Sequence, residues 1–215
     1  MSSPTLAADF HLPQKVRDGL LQARIFPDLL HADAPRTIAI CACHRQAGTT
    51  TIALNLALML SERNGEQVSL IDANFRSSGL TRSVVDGGGF SAFAEGTLPF
   101  EEAFVPVGDK VRLMHRGRTD DPLVTLRTGA SRLPAHAPGS AARTLIDLPP
   151  VLEHPDALMM AQATDGVLLV LEAEETRWPV AREARQRIEA AGMRIVGAVL
   201  NRKPHYVPSW LYRLL

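Results

Sequence analysis

The sequence predicts an α/β domain in which a mainly parallel sheet lies between two layers of helices. Short apolar runs alternate with helical stretches along most of the chain. Each run is apolar throughout, which is typical of strands buried on both faces of a parallel sheet. With 215 residues, 46% of them hydrophobic, the chain is also large enough to bury the core of one such domain.

The first three elements have clear signals. The run TIAICAC, residues 37–43, predicts a buried strand between Pro35 and the polar loop HRQAG. The next stretch, TTTIALNLALMLSER, is too long for a strand and apolar on nearly every side, so we predict a buried helix that ends at Asn64–Gly65. The run QVSLID then predicts a second strand, which ends at Asp72.

The middle of the chain gives weaker signals. Two short helices are predicted near Ser91–Ala94 and Phe100–Phe104, and VRLM predicts a third strand. Residues 115–143 are predicted as a loop-rich, locally basic stretch, in which a helix is left open because its signal is not clear. We expect a solvated face there, with an acidic lipid or partner surface as the alternative. It carries five arginines: Arg116, Arg118, Arg127, Arg132 and Arg143.

Regular alternation returns in the last third. RTLIDLPP predicts a strand that ends at Asp147, a helix follows over Pro155–Ala163, and GVLLVLEA predicts another strand. TRWPVAREARQRIEAAG predicts an amphipathic helix that stops at Gly192. RIVGAVLN is the last predicted strand and ends at Asn201. The tail that follows carries an apolar stripe, which we expect to pack on the core: Trp210, Leu211 and Leu214.

Residues 1–35 are predicted as an N-terminal extension with one short helix at Gln14–Arg24, and residues 36–215 as the domain.

Composition narrows the function classes. The 23 basic and 23 acidic residues balance, which argues against a nucleic-acid-coating protein. No signal peptide or membrane span is predicted, so a cytoplasmic location is expected. The Cys41–Cys43 pair and the histidines lack metal-ligand spacing, so we expect no zinc, haem or iron–sulfur group.

Polar residues stand where the predicted strands end, at the edge where parallel sheets bind ligands. Asp72, Asp147 and Asn201 occupy three such ends. The loop after the first strand leads through Gly48 into a helix start, whose free N–H groups attract phosphate. Helix capping is the alternative for the loop, strand-end capping for the two aspartates, and a turn for Asn201.

The loop fits the phosphate-binding pattern G-x-x-x-x-G-K-[ST] only in part. Gly48 matches the second glycine and Thr50 the hydroxyl that binds Mg²⁺. Cys43 stands in place of the first glycine, and Thr49 stands in place of the lysine. The chain has three lysines, and none lies between Lys15 and Lys110.

In their order, these motifs resemble the deviant P-loop ATPases, which include the Min/Par-type proteins. They are most similar to the bacterial tyrosine kinases (BY-kinases) of capsule and exopolysaccharide synthesis. The likeness covers roughly residues 36–215 and rests on four segments: NLALML, LIDANFR, LIDLPPVLEHPDALMMAQATDGVLLVLEAEET and GAVLNRKPHYVPSWLYRLL. It implies a P-loop NTPase-like three-layer α/β/α sandwich.

The resemblance also implies ligands, namely ATP or ADP with Mg²⁺. Asp72 and Asp147 match the catalytic carboxylates of an active member, and together with Thr50 they would hold the metal ion. Arg76 matches the arginine of the second Walker motif. Arg45 is a further candidate for the phosphates because it lies in the loop. The predicted cofactor-binding residues are Arg45, Gly48, Thr49, Thr50, Thr51 and Asn201.

The departures from the family pattern concern charge. Thr49 removes the loop lysine, His44 stands where Min/Par-type proteins have another lysine, and Asn74 stands where a second aspartate is expected. Of the family's oligomer-forming Glu-x-x-Arg-x-x-Arg helix only Arg17 remains. The family's C-terminal tyrosine cluster is also missing, since the chain has two tyrosines, Tyr206 and Tyr212. Removing one donor to the transferring phosphoryl group typically costs about 100–1000-fold in rate.

The sequence therefore predicts a degenerate BY-kinase-like protein with weak or no phosphoryl transfer. We expect it to regulate or scaffold an inner-membrane polysaccharide co-polymerase or export component, at the inner face of the cell membrane, with a homo-oligomer left open. One alternative is an active ATPase or tyrosine autokinase that tolerates Thr49, with Arg45 at the phosphates. The other is a Min/Par-type positioning switch driven by nucleotide-dependent dimerisation.

Overall fold

A central sheet of seven strands organises the chain in the computed structural model, which describes residues 29, 31, 34–76, 80, 88–107, 109–136 and 142–203. The strands are β1 Thr37–Ala42, β2 Gln67–Asp72, β3 Val105–Pro106, β4 Val111–Met114, β5 Ala142–Asp147, β6 Gly166–Glu172 and β7 Ile195–Asn201. Their order in the sheet is β3-β4-β2-β5-β1-β6-β7, and every neighbouring pair is parallel except β3–β4.

Helices cover both faces of this sheet. One face packs against the helix at Thr49–Asn64, and the other carries the remaining α-helices of the described part. The two apolar clusters on either side of the strands confirm the predicted three-layer α/β/α sandwich. The helices are α1 Thr49–Asn64, α2 Gly89–Glu95, α3 Pro122–Arg132, α4 Ala157–Ala161 and α5 Trp178–Ala190, with 3₁₀ turns at Glu101–Ala103 and Leu133–His136.

Glycines set both ends of α1. Gly48 precedes the helix with φ 88°, and Gly65 follows it with φ 63°. Both values lie in the left-handed region, where a side chain is costly. Between the two glycines, Ile52, Leu56 and Leu60 are buried against the sheet. The prediction of a buried helix closed by Asn64–Gly65 is confirmed.

Within residues 115–143, where the sequence left a helix open, the structure contains one. α3 forms at Pro122–Arg132, because Asp121 caps it by accepting a 3.1 Å hydrogen bond from the Val124 N–H. Pro122 occupies the first turn, where its missing N–H costs nothing. The Asp121–Pro122 pair was therefore a helix-start signal that the basic composition of the region obscured.

The predicted solvated face is wrong at one arginine. Arg143 begins the buried part of β5, and its side chain is 1% exposed. Its Nε donates to Glu66 Oε2 at 3.0 Å, and Nη1 donates to the Pro35 carbonyl at 2.9 Å. Because a buried charge must be paired, these contacts explain how an arginine enters the strand. Arg118, Arg127 and Arg132 are exposed as expected, and Arg116 is half-buried.

Smaller differences lie at element ends. The helix predicted near Phe100–Phe104 is only a 3₁₀ turn, and the short strand β3 that follows it was not predicted. Cys41 and Cys43 are buried free thiols. Within the described ranges, no helix combines the length and the apolar character that crossing a membrane requires. Some predicted features lie outside the described residues: the helix at Gln14–Arg24, Arg17, Tyr206, Tyr212, Trp210, Leu211 and Leu214.

Candidate nucleotide site

Two buried aspartates meet at the carboxyl edge of the sheet. Asp72 ends β2, Asp147 ends the neighbouring strand β5, and the parallel register pairs them directly. Both residues are fully buried. Asp72 Oδ2 and Asp147 Oδ1 have no hydrogen-bond partner in the described structure. Because unpaired buried carboxylate oxygens are unfavourable, they indicate a site built for a cation.

The loop before α1 connects to these carboxylates. Thr50, in the first turn of α1, donates a hydrogen bond from Oγ1 to Asp147 Oδ2 at 2.6 Å. Asn201, at the end of β7, donates from Nδ2 to the Ala47 carbonyl at 2.8 Å. A Cβ at Gly48 would lie 2.2 Å from Asn201 Nδ2. Glycine is therefore required both by its φ and by the close approach of β7.

Burial controls the protonation of the aspartate pair. Burial raises the pKa of Asp72 to about 6, against the opposing effects of the Asn74 N–H and of Arg116. The pKa of Asp147 rises well above its ordinary value through burial and then through repulsion from Asp72, while the Thr50 hydrogen bond opposes the rise. The two carboxylates therefore disfavour full ionisation unless a cation lies between them.

The segment after β2 supports Asp72. The Asn74 N–H donates to Asp72 Oδ1 at 3.1 Å, and Asn74 Oδ1 accepts from the Arg76 N–H at 3.2 Å. The amide of Asn74 thus orders the turn without adding a carboxylate to the site. The Arg76 guanidinium lies 3.8 Å from Asp156.

Two side chains of the loop before α1 form hydrogen bonds with residues that follow β5 and β6. The Arg45 N–H and Nε donate to the two oxygens of Glu153, at 2.9 and 3.0 Å. His44 Nε2 lies 2.9 Å from Thr176 Oγ1. The two acidic residues near the start of α4, Glu153 and Asp156, therefore contact the two arginines Arg45 and Arg76.

A cavity of about 320 Å³ opens above the loop. Of the predicted cofactor-binding residues, Arg45, Gly48, Thr49 and Thr50 line it. Thr51 is exposed on α1, and Asn201 lies behind Gly48 instead of lining the cavity. The full lining is His44, Arg45, Gln46, Gly48, Thr49, Thr50, Asn74, Arg76, Pro150 and Arg202. These side chains include three arginines and no carboxylate, so the cavity has the character of an anion site.

Sequence reasoning missed three of these lining residues. Gln46 and Pro150 belong to motifs that were recognised, but no role was predicted for them. Arg202 could have been found from its position directly after the strand end at Asn201. The structure also places Arg116, which the sequence left unassigned, close enough to Asp72 to lower its pKa.

The residues present fit Mg²⁺. Thr50, Asp72 and Asp147 offer hydroxyl and carboxylate oxygens, the ligands that Mg²⁺ prefers, and two of the carboxylate oxygens are unpaired. No cluster of three or more His, Cys, Asp or Glu side chains suited to a metal occurs among the described residues. A metal ion here would therefore need ligands from a bound phosphate and water.

Comparison with models of known protein families gives no match. Among curated proteins, the chain is 23% identical over 181 residues to the tyrosine-protein kinase CpsD of Streptococcus agalactiae, covering 81% of this chain and 78% of that protein. Among solved structures, it is similar to the VpsO kinase domain, with 28% identity and a TM-score of 0.74 over 89% of this chain and 97% of that one. The chain is a BY-kinase-like P-loop protein.

The fold of this BY-kinase-like protein extends to more distant structures. The septum site-determining protein MinD of Pyrococcus horikoshii, solved with Mg-ADP, is 19% identical and has a TM-score of 0.61. That likeness covers 83% of this chain and 76% of MinD. It agrees with the three-layer fold and confirms that the predicted P-loop NTPase-like class is correct.

Proposed function

We propose that this BY-kinase-like protein acts in capsule or exopolysaccharide biosynthesis and export by binding, with weak or no phosphoryl transfer. Its partner would be an inner-membrane polysaccharide co-polymerase or export component, which it regulates or scaffolds from the cytoplasmic face. The tyrosine-protein kinase CpsD and the VpsO kinase domain support the kinase ancestry. The pathway rests on the motifs shared with the BY-kinases.

One observation carries the proposal of weak catalysis, namely Thr49. It lines the cavity at the start of α1, where the pattern has a lysine. Of the lysines in the described ranges, Lys110 and Lys203, neither lines the cavity. A hydroxyl cannot neutralise the charge that develops on a transferring phosphoryl group.

The arginines do not restore the missing charge in this geometry. Arg45 is bonded to Glu153 through both its backbone and its side chain, and Arg76 lies beside Asp156. A guanidinium is also planar and differs from a lysine in shape and reach. These contacts support a site that keeps the geometry of a P-loop while Arg45 and Arg76 pair with neighbouring carboxylates.

We propose that ATP or ADP still binds, and that Mg²⁺ accompanies it. The free N–H groups at the start of α1 would hold the phosphates. Thr50 and Asp147 would position the metal ion, which when bound neutralises phosphate charge. The buried carboxylate of Asp72 would be stabilised in its ionised form by the same ion.

The proposal is tested by restoring the lysine. Purified wild type, Thr49→Lys and Thr51→Lys are incubated with radiolabelled ATP and Mg²⁺, and hydrolysis and self-labelling are followed. We expect wild type near background and Thr49→Lys to gain turnover by up to about 100–1000-fold. Thr51→Lys adds the same charge at an exposed position of the same helix and is expected to change nothing. Equal behaviour of the two variants would show that the missing lysine does not limit turnover.

The partner is tested separately by co-precipitation with the cytoplasmic segments of a polysaccharide co-polymerase. A binding protein that does not depend on turnover should retain its partner when Asp147 is replaced by alanine. Loss of the partner in Asp147→Ala, with the fold intact, would contradict a scaffolding role that is independent of the nucleotide site.

An active ATPase or tyrosine autokinase is the second candidate. The 2.6 Å contact between Thr50 and Asp147 favours it, because this frame positions Mg²⁺ in working P-loop enzymes. The third candidate, a Min/Par-type switch, requires ATP binding and dimerisation. Calorimetry that detects no Mg-ATP binding would remove it, and dimerisation induced by Mg-ATP would favour it.

A further inference from the structure

Each arginine that lines the cavity in the described structure pairs with a carboxylate that lies outside the lining. The pairs are Arg45–Glu153 at 3.0 Å, Arg76–Asp156 at 3.8 Å and Arg202–Glu172 at 2.6 Å. Every positive charge of these arginines therefore has a negative neighbour, and the three pairs together give the cavity no excess of positive charge. The pairs are partly exposed, so a ligand would break one at a modest cost.

Two of these pairs are fixed by further contacts. Glu153 accepts from both the backbone N–H and the Nε of Arg45, at 2.9 and 3.0 Å. Arg202 has φ 56°, a left-handed value that turns the backbone directly after β7 and brings its side chain to Glu172 at the end of β6. The Glu172 N–H in turn donates to Thr176 Oγ1 at 2.9 Å. These contacts direct both guanidinium groups toward protein carboxylates.

The start of α1 supplies the remaining attraction for phosphate. Gly48 precedes the helix without a side-chain cap, and the first turn carries no acidic residue. The N–H groups at this end act as about half an elementary positive charge. In the phosphate-binding pattern, such backbone groups hold the inner phosphates, whereas the lysine reaches the outer ones. With Thr49 in place of the lysine, the site keeps the donors for two phosphates and lacks the cation for the third.

A bound Mg²⁺ would not supply this missing charge. It would lie with Thr50 beside two fully buried carboxylates, in which Asp72 Oδ2 and Asp147 Oδ1 have no hydrogen-bond partner. Ionised carboxylates in such an environment require a compensating cation, so part of the metal charge is used on them. Arg116 acts on the same carboxylate pair, because it lies close enough to Asp72 to lower its pKa.

We propose that the site selects a nucleoside diphosphate with Mg²⁺ over the corresponding triphosphate. This inference rests on the nucleotide binding proposed above and adds which nucleotide occupies the site. The second phosphate gains the N–H groups of α1. The third phosphate adds negative charge where every arginine of the described lining is already paired. The diphosphate is then the resting ligand of the protein and not the product of its turnover.

Titration calorimetry of the wild-type chain with AMP, ADP and ATP, each with Mg²⁺, tests the proposal. Affinity should rise by about tenfold or more from AMP to ADP, because the second phosphate gains charge-assisted hydrogen bonds. It should not rise again from ADP to ATP. We expect ATP to bind equally well or up to about fivefold more weakly, since recruiting an arginine costs an exposed ion pair. A non-hydrolysable imido analogue of ATP repeats the last measurement.

Three variants identify the position responsible. Thr49→Lys should increase the affinity for Mg-ATP by about tenfold or more and that for Mg-ADP by less, so that the order of the two nucleotides reverses. Thr49→Met has a long side chain without the charge. Gln67→Lys adds the charge at an exposed residue at the opposite end of β2. Both controls should keep the wild-type order, and circular dichroism checks the fold of each variant.

Two results would overturn the proposal. The first is a wild-type chain that binds Mg-ATP more tightly than Mg-ADP, a result that decides the question even if Thr49→Lys does not fold. The second is an equal gain for both nucleotides in Thr49→Lys, because position 49 would then not act on the third phosphate. Absence of binding by all three nucleotides would instead contradict the nucleotide binding proposed above, so the two failures are distinguishable.

Discussion

The Thr50 hydroxyl donates a 2.6 Å hydrogen bond to Asp147 Oδ2 and so joins the start of α1 to the end of β5. The two residues are 97 positions apart in sequence. Asp72 and Asp147 have four buried carboxylate oxygens, and this bond satisfies one of them. Two of the other oxygens, Asp72 Oδ2 and Asp147 Oδ1, have no hydrogen-bond partner. The bond therefore links the helix that would hold phosphate to the carboxylates that would hold Mg²⁺.

Replacing Thr50 with valine should show how much this hydrogen bond contributes to the stability of the fold. Thr50→Val keeps the shape but removes the donor, so Asp147 loses its hydroxyl partner. We expect a loss of about 1–3 kcal/mol in the free energy of unfolding, measured in urea. Stabilisation of the protein by Mg-ATP should fall as well. Thr51→Val, at the next and exposed position, is the control and should stay near wild type.

The pH dependence of stability should report the aspartate pair. The folded protein raises the pKa of Asp72 to about 6, so between about pH 4 and pH 6 it binds more protons than the unfolded chain. Stability from this group is therefore lost as pH rises through that window. Asp72→Asn keeps the acceptor for the Asn74 N–H and removes the charge. In metal-free buffer, the free energy of unfolding of Asp72→Asn should increase relative to that of the wild type as the pH rises, by on the order of 3 kcal/mol at pH 7.5.

Parallel stability curves for wild type and Asp72→Asn between pH 4.5 and pH 7.5 would contradict the buried pair. Added Mg²⁺ gives a second check. It should narrow the difference between the two proteins at pH 7.5, because a bound cation favours the ionised carboxylates of the wild type.

The Glu153–Arg45 pair should restrain anion binding. Glu153→Gln weakens the hold on Arg45 and leaves the guanidinium available to the cavity. The pair is exposed, so the gain in Mg-ATP affinity should be modest, up to about fivefold by titration calorimetry. Glu183→Gln, which breaks the pair with Arg187 on α5, is the control. A decrease in affinity in Glu153→Gln would mean that Glu153 supports the site.

Gly48 and Gly192 allow the effect of backbone strain to be separated from that of a steric contact with a neighbouring side chain. Both have positive φ, 88° and 78°, but a Cβ at Gly48 would meet Asn201 whereas one at Gly192 meets nothing within 4 Å. Gly192→Ala should cost about 1 kcal/mol from backbone strain alone. Gly48→Ala should lower the melting temperature further. Adding Asn201→Ala to Gly48→Ala should return part of that loss, and no recovery would rule out the steric contact.

Much of the site was predictable because it lies at strand ends. Asp72 and Asp147 follow apolar runs, and parallel strands bring such ends to one edge. Gly48 and Thr50 follow from the spacing of the loop pattern. The contact of Arg45 with Glu153 was not predictable, since the two residues are 108 positions apart and no local pattern relates them.

The errors of prediction also have physical causes. Arg143 was assigned to the surface by its charge, but Glu66 and the Pro35 carbonyl pair with it inside the fold. The cap at Asp121 was hidden within a basic stretch. Asn201 was predicted to bind the cofactor or to form a turn, and this stays a prediction; in the structure its amide donates to the Ala47 carbonyl of the loop. Each outcome depends on a tertiary partner that the local sequence does not show.

The most direct test of the central claim is turnover of radiolabelled ATP by the wild-type chain, compared with Asp147→Ala under the same conditions. We predict that the two proteins give the same near-background hydrolysis and no self-labelling, because Thr49 leaves the transferring phosphoryl group without its lysine. Wild-type turnover that Asp147→Ala abolishes would contradict the account and identify an active enzyme.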